Sequence, residues 1–146
     1  MKKLLAALTL LFSINHAMAS ELTDVAACAG MIIGDSVIIY ELDGNADNLE
    51  VALEVAYAGY FGYVFGAKPA QQDVLQADTV MQNNIELIYN KYENGTYTND
   101  TFQEVIECYQ INSIQLIVHG EAIRDNAPII RQVAGDTKKN MMALFQ

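Results

Sequence analysis

Four oxygen-bearing side chains follow the spacing of a calcium-binding loop. Asp43, Asn45 and Asp47 alternate along the chain, and Glu54 stands at the twelfth position counted from Asp43. Carboxylate and amide oxygens are the ligands that Ca²⁺ takes in loops of this kind. However, the place of the sharp turn has asparagine instead of glycine, and Asp47 with Glu50 also matches the capping box of a helix N-terminus. A capped turn between two helices is therefore the favoured interpretation, with a calcium site as the alternative.

Two cysteines are the second candidate for chemistry. Cys28 and Cys108 lie 80 positions apart, and neither belongs to a Cys-x-x-Cys motif, so thioredoxin-type redox catalysis has no support. An even cysteine count in an exported chain predicts one disulfide bond, which the chain-entropy model values at about 4.5 kcal/mol. The stretch Val25-Ala26-Ala27-Cys28 also looks like a lipoprotein cleavage site. Lipidation of Cys28 is the alternative, although two acidic residues just before this stretch disfavour it.

Aromatic residues cluster in an uncharged stretch of the chain. The thirteen residues 55–67 carry no charge, and as a helix they would span about 20 Å, which is too short to cross a bilayer. A central core helix is the favoured interpretation. The alternatives are a surface for a partner or a second copy, and an apolar pocket for a small ligand. The aromatic residues concerned are Tyr57, Tyr60, Phe61, Tyr63 and Phe65.

Other catalytic patterns are missing from the sequence. It contains no G-x-S-x-G, no H-E-x-x-H and no phosphate-binding loop. His119 is the only histidine after the first 19 residues, so neither a multi-histidine metal site nor a Ser-His-Asp triad is supported. We therefore expect a non-enzymatic protein without a cofactor and without catalytic residues.

The first 19 residues have the pattern of a secretory signal sequence. Lys2-Lys3 precedes the apolar stretch Leu4–Ile14, and Ala17-Met18-Ala19 forms an A-x-A cleavage site. Cleavage after Ala19 leaves 127 residues, enough for one domain. The sequence predicts an exported protein, periplasmic or secreted, in which residues 20–146 form a single helical domain without a transmembrane segment.

The negative charge of the chain argues against nucleic acids and anionic lipids as partners. Eighteen acidic residues face eight basic ones, and loss of the two signal lysines lowers the net charge from −10 to −12. Such a chain lacks the basic footprint that nucleic acids and anionic lipids require. Residues 20–67 hold eight acidic residues and no lysine or arginine. This acidic half is a candidate surface for a protein partner.

Hydrophobic spacing predicts an all-α fold. Ala26, Gly30 and Gly34 stand four residues apart in the first helix and would let a second backbone approach closely. A strand over 31–40 is the alternative there, and continuity of the helix through Gly34 is left open. The fourth helix carries Phe102, Val105, Ile106, Tyr109, Leu116 and Ile117, and Gly120 either ends or interrupts it.

The predicted architecture is a compact bundle of four or five helices, in which the disulfide ties helix 1 to helix 4. The expected helices cover 21–42, about 48–66 and about 71–93, with a fourth behind Thr98 or Asn99 and a fifth from Pro128. These observations favour a protein-interaction module that binds another envelope protein or itself. A carrier of a small apolar ligand and an envelope stress chaperone are the alternatives.

Overall fold

The computed structural model describes residues 2–145, with side chains from Glu21 to Phe145. Six helices and no strand are found within these residues, which confirms the all-α bundle. The predicted signal sequence and its cleavage site at Ala19 lie outside the residues whose side chains are described. The helices are α1 (Lys2–Asp43), α2 (Ala46–Ala67), α3 (Gln71–Glu93), α4 (Asn99–Val118), α5 (Gly120–Asp125) and α6 (Ala127–Leu144).

Helix α1 is the centre of the bundle and packs against α2, α3 and α4. It continues without a break through Gly34, so the strand alternative over 31–40 is wrong. The part Glu21–Asp43 is long and apolar enough to cross a membrane by composition, but most of it is buried inside the bundle. Burial against three other helices accounts for its apolar composition, because most of this helix is turned away from water.

The small residues of α1 let α3 approach at backbone distance. A Cβ atom on Gly30 would lie 2.3 Å from the carbonyl oxygen of Met81, and one on Gly34 would lie 2.9 Å from the Cβ of Ile88. Ala26 on the same stripe is fully buried. The predicted close approach of a second backbone at this stripe is confirmed.

Two helix ends follow from local chemistry. Lys68 adopts a left-handed conformation with φ 51° after the last residue of α2, and Pro69 follows it. A proline cannot continue the helix, so the predicted stop after Gly66 is confirmed to within one residue. Gly95, with φ 68°, lies in the turn that follows α3.

The C-terminal part of the chain divides into more helices than the four or five predicted. Helix α4 ends at Val118, with His119 as its C-cap, and a second break at Asn126 separates α5 from α6. Pro128 lies in the first turn of α6, as predicted. Six helices result because α4 stops before His119 and Gly120 starts a separate helix of six residues, so that the chain is interrupted at this point, one of the two predicted outcomes.

A disulfide bond joins Cys28 of α1 to Cys108 of α4, with the two Cα atoms 4.7 Å apart. The predicted pairing is confirmed. Because the Cys28 sulfur is bonded to Cys108, it is not available for a thioether to lipid, and the lipoprotein alternative loses its attachment point. The bond closes a loop that contains the whole of α2 and α3.

Candidate functional site

The aromatic end of α2 lies in the core of the bundle. Tyr57, Tyr60 and Tyr63 are buried, whereas Phe61 and Phe65 are partly buried. The ring of Phe61 stacks on Tyr57 at 5.8 Å and on Phe65 at 5.7 Å between centroids. The three tyrosines therefore belong to the core, as the favoured interpretation predicts, and they are too buried to contact a partner. Only the two phenylalanines reach the surface in part.

Tyrosine hydroxyls connect the helices to acidic side chains. Four tyrosines donate a hydrogen bond to a carboxylate on another element of the fold, and we call these the tyrosine–carboxylate pairs. Tyr57 is bonded instead to the hydroxyl of Thr137 on α6, at 2.9 Å. The pairs are Tyr60 with Asp78, Tyr63 with Glu21, Tyr89 with Glu41 and Tyr97 with Asp35. Three of the four carboxylates, Glu21, Asp35 and Glu41, belong to residues 20–67, which contain no lysine or arginine.

The hydroxyls of these pairs stay protonated at neutral pH. Burial raises the pKa of Tyr63 to about 12, and the nearby carboxylate of Glu21 adds to the rise. Burial and the hydrogen bond to Glu41 raise the pKa of Tyr89 to about 12. Both hydroxyls therefore keep the proton that they donate.

Asp35 is the buried carboxylate among the pairs. It lies on α1 and accepts a hydrogen bond from the hydroxyl of Tyr97. Burial raises the pKa of Asp35 above its ordinary value of 3.8, and the hydrogen bond from Tyr97 opposes that rise. Because burial is the larger effect, the folded state disfavours the ionised form.

We expect Asp35→Asn to raise the melting temperature at pH 7. Ionisation of Asp35 costs stability as the pH rises from 3.8 through its raised pKa, and an amide removes that cost while still accepting from Tyr97. The gain should shrink as the pH is lowered to about 4, where Asp35 takes up a proton in the folded state. Thermal melts at both pH values test this.

The matched control is Asp136→Asn, which removes a carboxylate from an exposed position on α6. Any gain common to both variants measures only the relief of repulsion in an acidic chain. A lower melting temperature for Asp35→Asn than for the wild type at pH 7 would contradict the prediction.

The calcium-loop residues form a capped turn. Asp43 accepts the backbone N–H of Asn45 at 2.8 Å, and the side chain of Asn45 accepts the N–H groups of Asp47 and Asn48 at 3.1 Å. The N-cap of α2 is therefore Asn45, and the predicted capping role of Asp47 is wrong by two residues. Glu54 lies two turns further along α2. Among the described residues, no group of three or more His, Cys, Asp or Glu is arranged to hold a metal ion.

A groove opens where the end of α1 meets the start of α2 and the middle of α4. Its volume is about 340 Å³, and its lining is mostly apolar, with Ile39, Tyr40, Val51, Val55 and Tyr109 among the contributors. Ile39 and Val51 are also exposed to solvent. We call this feature the acidic groove because acidic residues share the helix faces of its exposed residues.

Three carboxylates share helix faces with Ile39 and Val51, although none of them lines the groove itself. Asp43 follows Ile39 by four residues on α1, so the two share a face. Asp47 precedes Val51 by four residues on α2, and Glu54 follows it by three. No lysine or arginine lines the groove, and none occurs between residues 20 and 67, but Lys138 of α6 pairs with Glu50 on α2. The acidic half predicted from the sequence thus contains a concave apolar feature.

Helix α4 is oriented with an apolar face towards solvent. Its buried residues include three polar ones, Thr101, Asn112 and Gln115. We define the outward face of α4 as Ile111, Ile114, Ile117 and Val118, which are all exposed. Phe102, earlier on the same helix, is exposed as well.

Two contacts fix this orientation of α4. The disulfide holds Cys108 towards α1, and one turn later the amide nitrogen of Asn112 donates to the carbonyl of Val55 at 2.9 Å. Asn112 is only 2% exposed and lies directly over Gly59, where a Cβ would come within 1.7 Å of its Oδ1 atom. The Oδ1 atom has no hydrogen-bond partner, so Asn112 is held by the single hydrogen bond of its amide nitrogen and by its close packing on Gly59.

A separate apolar cavity of about 380 Å³ lies between α1, α3 and the end of α6, with Val37, Ile85, Tyr89, Met141 and Phe145 in its lining. It is not the pocket that the carrier hypothesis expected, since none of the five aromatic residues of α2 lines it. The carrier hypothesis remains a prediction.

The chain matches no protein-family model, no curated protein and no solved structure. A function therefore has to be inferred from the surfaces described above. Two of these surfaces expose several apolar side chains, namely the acidic groove and the outward face of α4.

Proposed function

We propose that this chain is an exported, non-enzymatic interaction module whose acidic groove binds a basic, apolar segment of another envelope protein. The observation that carries the proposal is the groove itself, whose exposed residues Ile39 and Val51 share helix faces with acidic residues. Lys138 pairs with Glu50, but Asp43, Asp47 and Glu54 have no basic partner among the described residues. A partner's apolar side chains would be buried in the groove, and its basic side chains would meet Asp43, Asp47 and Glu54. Complementary charge of this kind gives specificity.

The polar groups of the groove favour binding over catalysis. The Ser36 hydroxyl donates to the carbonyl of Ile32 at 2.6 Å, so it is engaged with the helix backbone. The Asn45 side chain caps α2. Neither lies next to His119, which packs beside Gly66 towards the other end of α2.

We expect Val51→Arg to abolish partner binding. Its side chain is 63% exposed, and an arginine there would occupy the groove and neutralise Asp47 and Glu54 on the same helix face. The immobilised mature chain is incubated with envelope extract, and the retained proteins are quantified by mass spectrometry. The wild type should retain a basic protein, with recovery reduced about tenfold or more by the substitution, as for loss of a central contact.

The matched control is Leu75→Arg on α3, because Leu75 is 61% exposed and lies away from the groove. It makes the same change of charge and should retain the partner as the wild type does. Binding should also weaken in high salt, which screens exposed charges. Equal recovery by Val51→Arg and Leu75→Arg, or no protein retained by the wild type, contradicts the proposal. The stress-chaperone hypothesis remains a prediction.

A further inference from the structure

The cavity between α1, α3 and the end of α6 has the size and the apolar walls of a small-molecule site. Its volume of about 380 Å³ lies within the range of roughly 300–1,000 Å³ that ligand pockets occupy. The lining extends from Val37, which is 7% exposed, to Leu144, which is 80% exposed, so the cavity connects the core with the solvent. Ile85 and Met141 also contribute apolar walls. A molecule with an apolar body would shield these side chains from water.

Two aromatic rings lie side by side in the lining of this cavity. The ring centroids of Tyr89 and Phe145 are 6.3 Å apart, and their planes are inclined by 57°. A point between the two rings can therefore lie within about 6 Å of both centroids, which is the reach of a cation–π contact. Other contacts hold the rings in place. The hydroxyl of Tyr89 donates to Glu41 at 2.9 Å, and Tyr40 packs on Phe145 with centroids 6.1 Å apart.

The charge of the cavity is negative. Glu86 lines it, is exposed, and forms no ion pair within the described part of the chain. No lysine or arginine lines the cavity. Of the lysines on the same helices, Lys91 pairs with Glu104 on α4, whereas Lys138 and Lys139 line a different cavity. A cation in this cavity would meet an unpaired carboxylate, whereas an anion would be repelled by it.

We propose that this cavity binds a small organic cation, namely an ammonium ion that carries an apolar chain. The chain would lie against Val37 and Met141, and the ammonium group would lie between the rings of Tyr89 and Phe145 and the carboxylate of Glu86. None of the residues that line this cavity lines the acidic groove. The site is therefore separate from the groove, and its ligand is independent of the protein partner proposed above.

The test is a titration of the isotope-labelled mature chain with hexyltrimethylammonium, followed by the chemical shifts of its backbone amides. We expect saturable changes at residues 85–90 and 141–145, which carry most of the lining. Hexanol and hexanesulfonate carry the same alkyl chain without the positive charge. Both should bind about tenfold or more weakly, because they gain neither the cation–π contacts nor the attraction to Glu86.

Two substitutions separate the ring from the carboxylate. Phe145→Leu keeps an apolar side chain but removes a ring, and should raise the dissociation constant for hexyltrimethylammonium about fivefold. Its matched control is Phe102→Leu, which removes a 44% exposed ring from α4, away from the cavity. Glu86→Gln should also raise the constant about fivefold. Its matched control is Glu107→Gln, which removes an exposed carboxylate from α4. Both controls should bind the probe as the wild type does.

Several results would overturn the proposal. They are the absence of saturable binding to the wild type, equal affinity for hexanol or hexanesulfonate, and equal effects of a substitution and its control. Shifts confined to the lining of the acidic groove would overturn it as well, because they would assign the cation to that groove. None of these results bears on protein retention by the groove, which the comparison of Val51→Arg with Leu75→Arg tests separately.

Discussion

Gly30→Ala is expected to lower the free energy of unfolding by about 2–4 kcal/mol, a large part of what a domain of this size has. A Cβ at this position would lie 2.3 Å from the carbonyl oxygen of Met81 and 2.9 Å from the Cβ of Asn84. The first obstacle is backbone, so no rotamer change relieves it, and α3 would have to move away from α1. Equilibrium unfolding in urea measures the loss.

The control is the same substitution in another helix. Gly135 lies within α6, and a Cβ there would meet no atom within 4 Å. Gly135→Ala should therefore stabilise the protein by up to about 1 kcal/mol, because alanine is the better helix former. Opposite signs for the two substitutions are the expected result. If both substitutions destabilised the protein to a similar extent, the close approach of α3 would not be the reason that position 30 needs a glycine.

Removal of the disulfide, as Cys28→Ala with Cys108→Ala, is expected to cost about 4.5 kcal/mol in the chain-entropy model. The two residues are 80 positions apart, so the bond restricts a long loop in the unfolded chain. The inward face of α4 is partly polar, through Asn112 and Gln115, and supplies little apolar burial to replace the bond. Urea unfolding of the double variant measures the loss.

Hydrogen exchange of the double cysteine variant shows which helices lose stability when the disulfide is absent. We expect α4 to lose protection first when the bond is absent, whereas α1 and α3, which interlock at Gly30 and Gly34, keep most of theirs. The wild type treated with a reductant serves as a second measurement without substitution. A loss below about 1 kcal/mol, or an even loss of protection across all helices, would contradict the role assigned to the bond.

Much of the bundle follows from local sequence. Three- and four-residue spacing predicts α3 as 71–93, which is the observed helix. The stripe of small residues at Gly30 and Gly34 predicts a close helix neighbour, although not which one. The disulfide follows from the cysteine count. Each of these properties depends on residues near one another in the chain or on a single possible pairing.

The orientation of α4 could not be read in the same way. Spacing alone counts Ile117 among the apolar positions of the helix, and nothing local says that this residue is exposed. The rotation depends on Cys108 and on the fit of Asn112 over Gly59, which are contacts between distant parts of the chain. A search for polar residues on the expected core face of a helix would have pointed to Asn112 and Gln115.

The candidate site was predictable only in part. The absence of lysine and arginine from residues 20–67 marks the acidic half in the sequence. The groove within it requires α1, α2 and α4 to meet, and no pattern in one helix encodes that. The aromatic residues of α2 favour a core helix from sequence but leave a surface open, because an uncharged stretch suits both. The hydroxyl contacts of Tyr57, Tyr60 and Tyr63 decide for the core.

The tyrosine–carboxylate pairs have an electrostatic consequence beyond holding helices together. A lysine bonded to Glu21, Glu41 or Asp78 would cancel the charge of that carboxylate, whereas a neutral tyrosine leaves it in place. At these contacts the helices are therefore joined without weakening the negative field, which extends into the solvent well past the surface, whereas Lys138 neutralises Glu50 where α6 meets α2. Fields of this kind raise the encounter rate with oppositely charged proteins by roughly 10- to 1,000-fold. The tyrosines thus preserve the long-range attraction that a basic partner of the groove would experience.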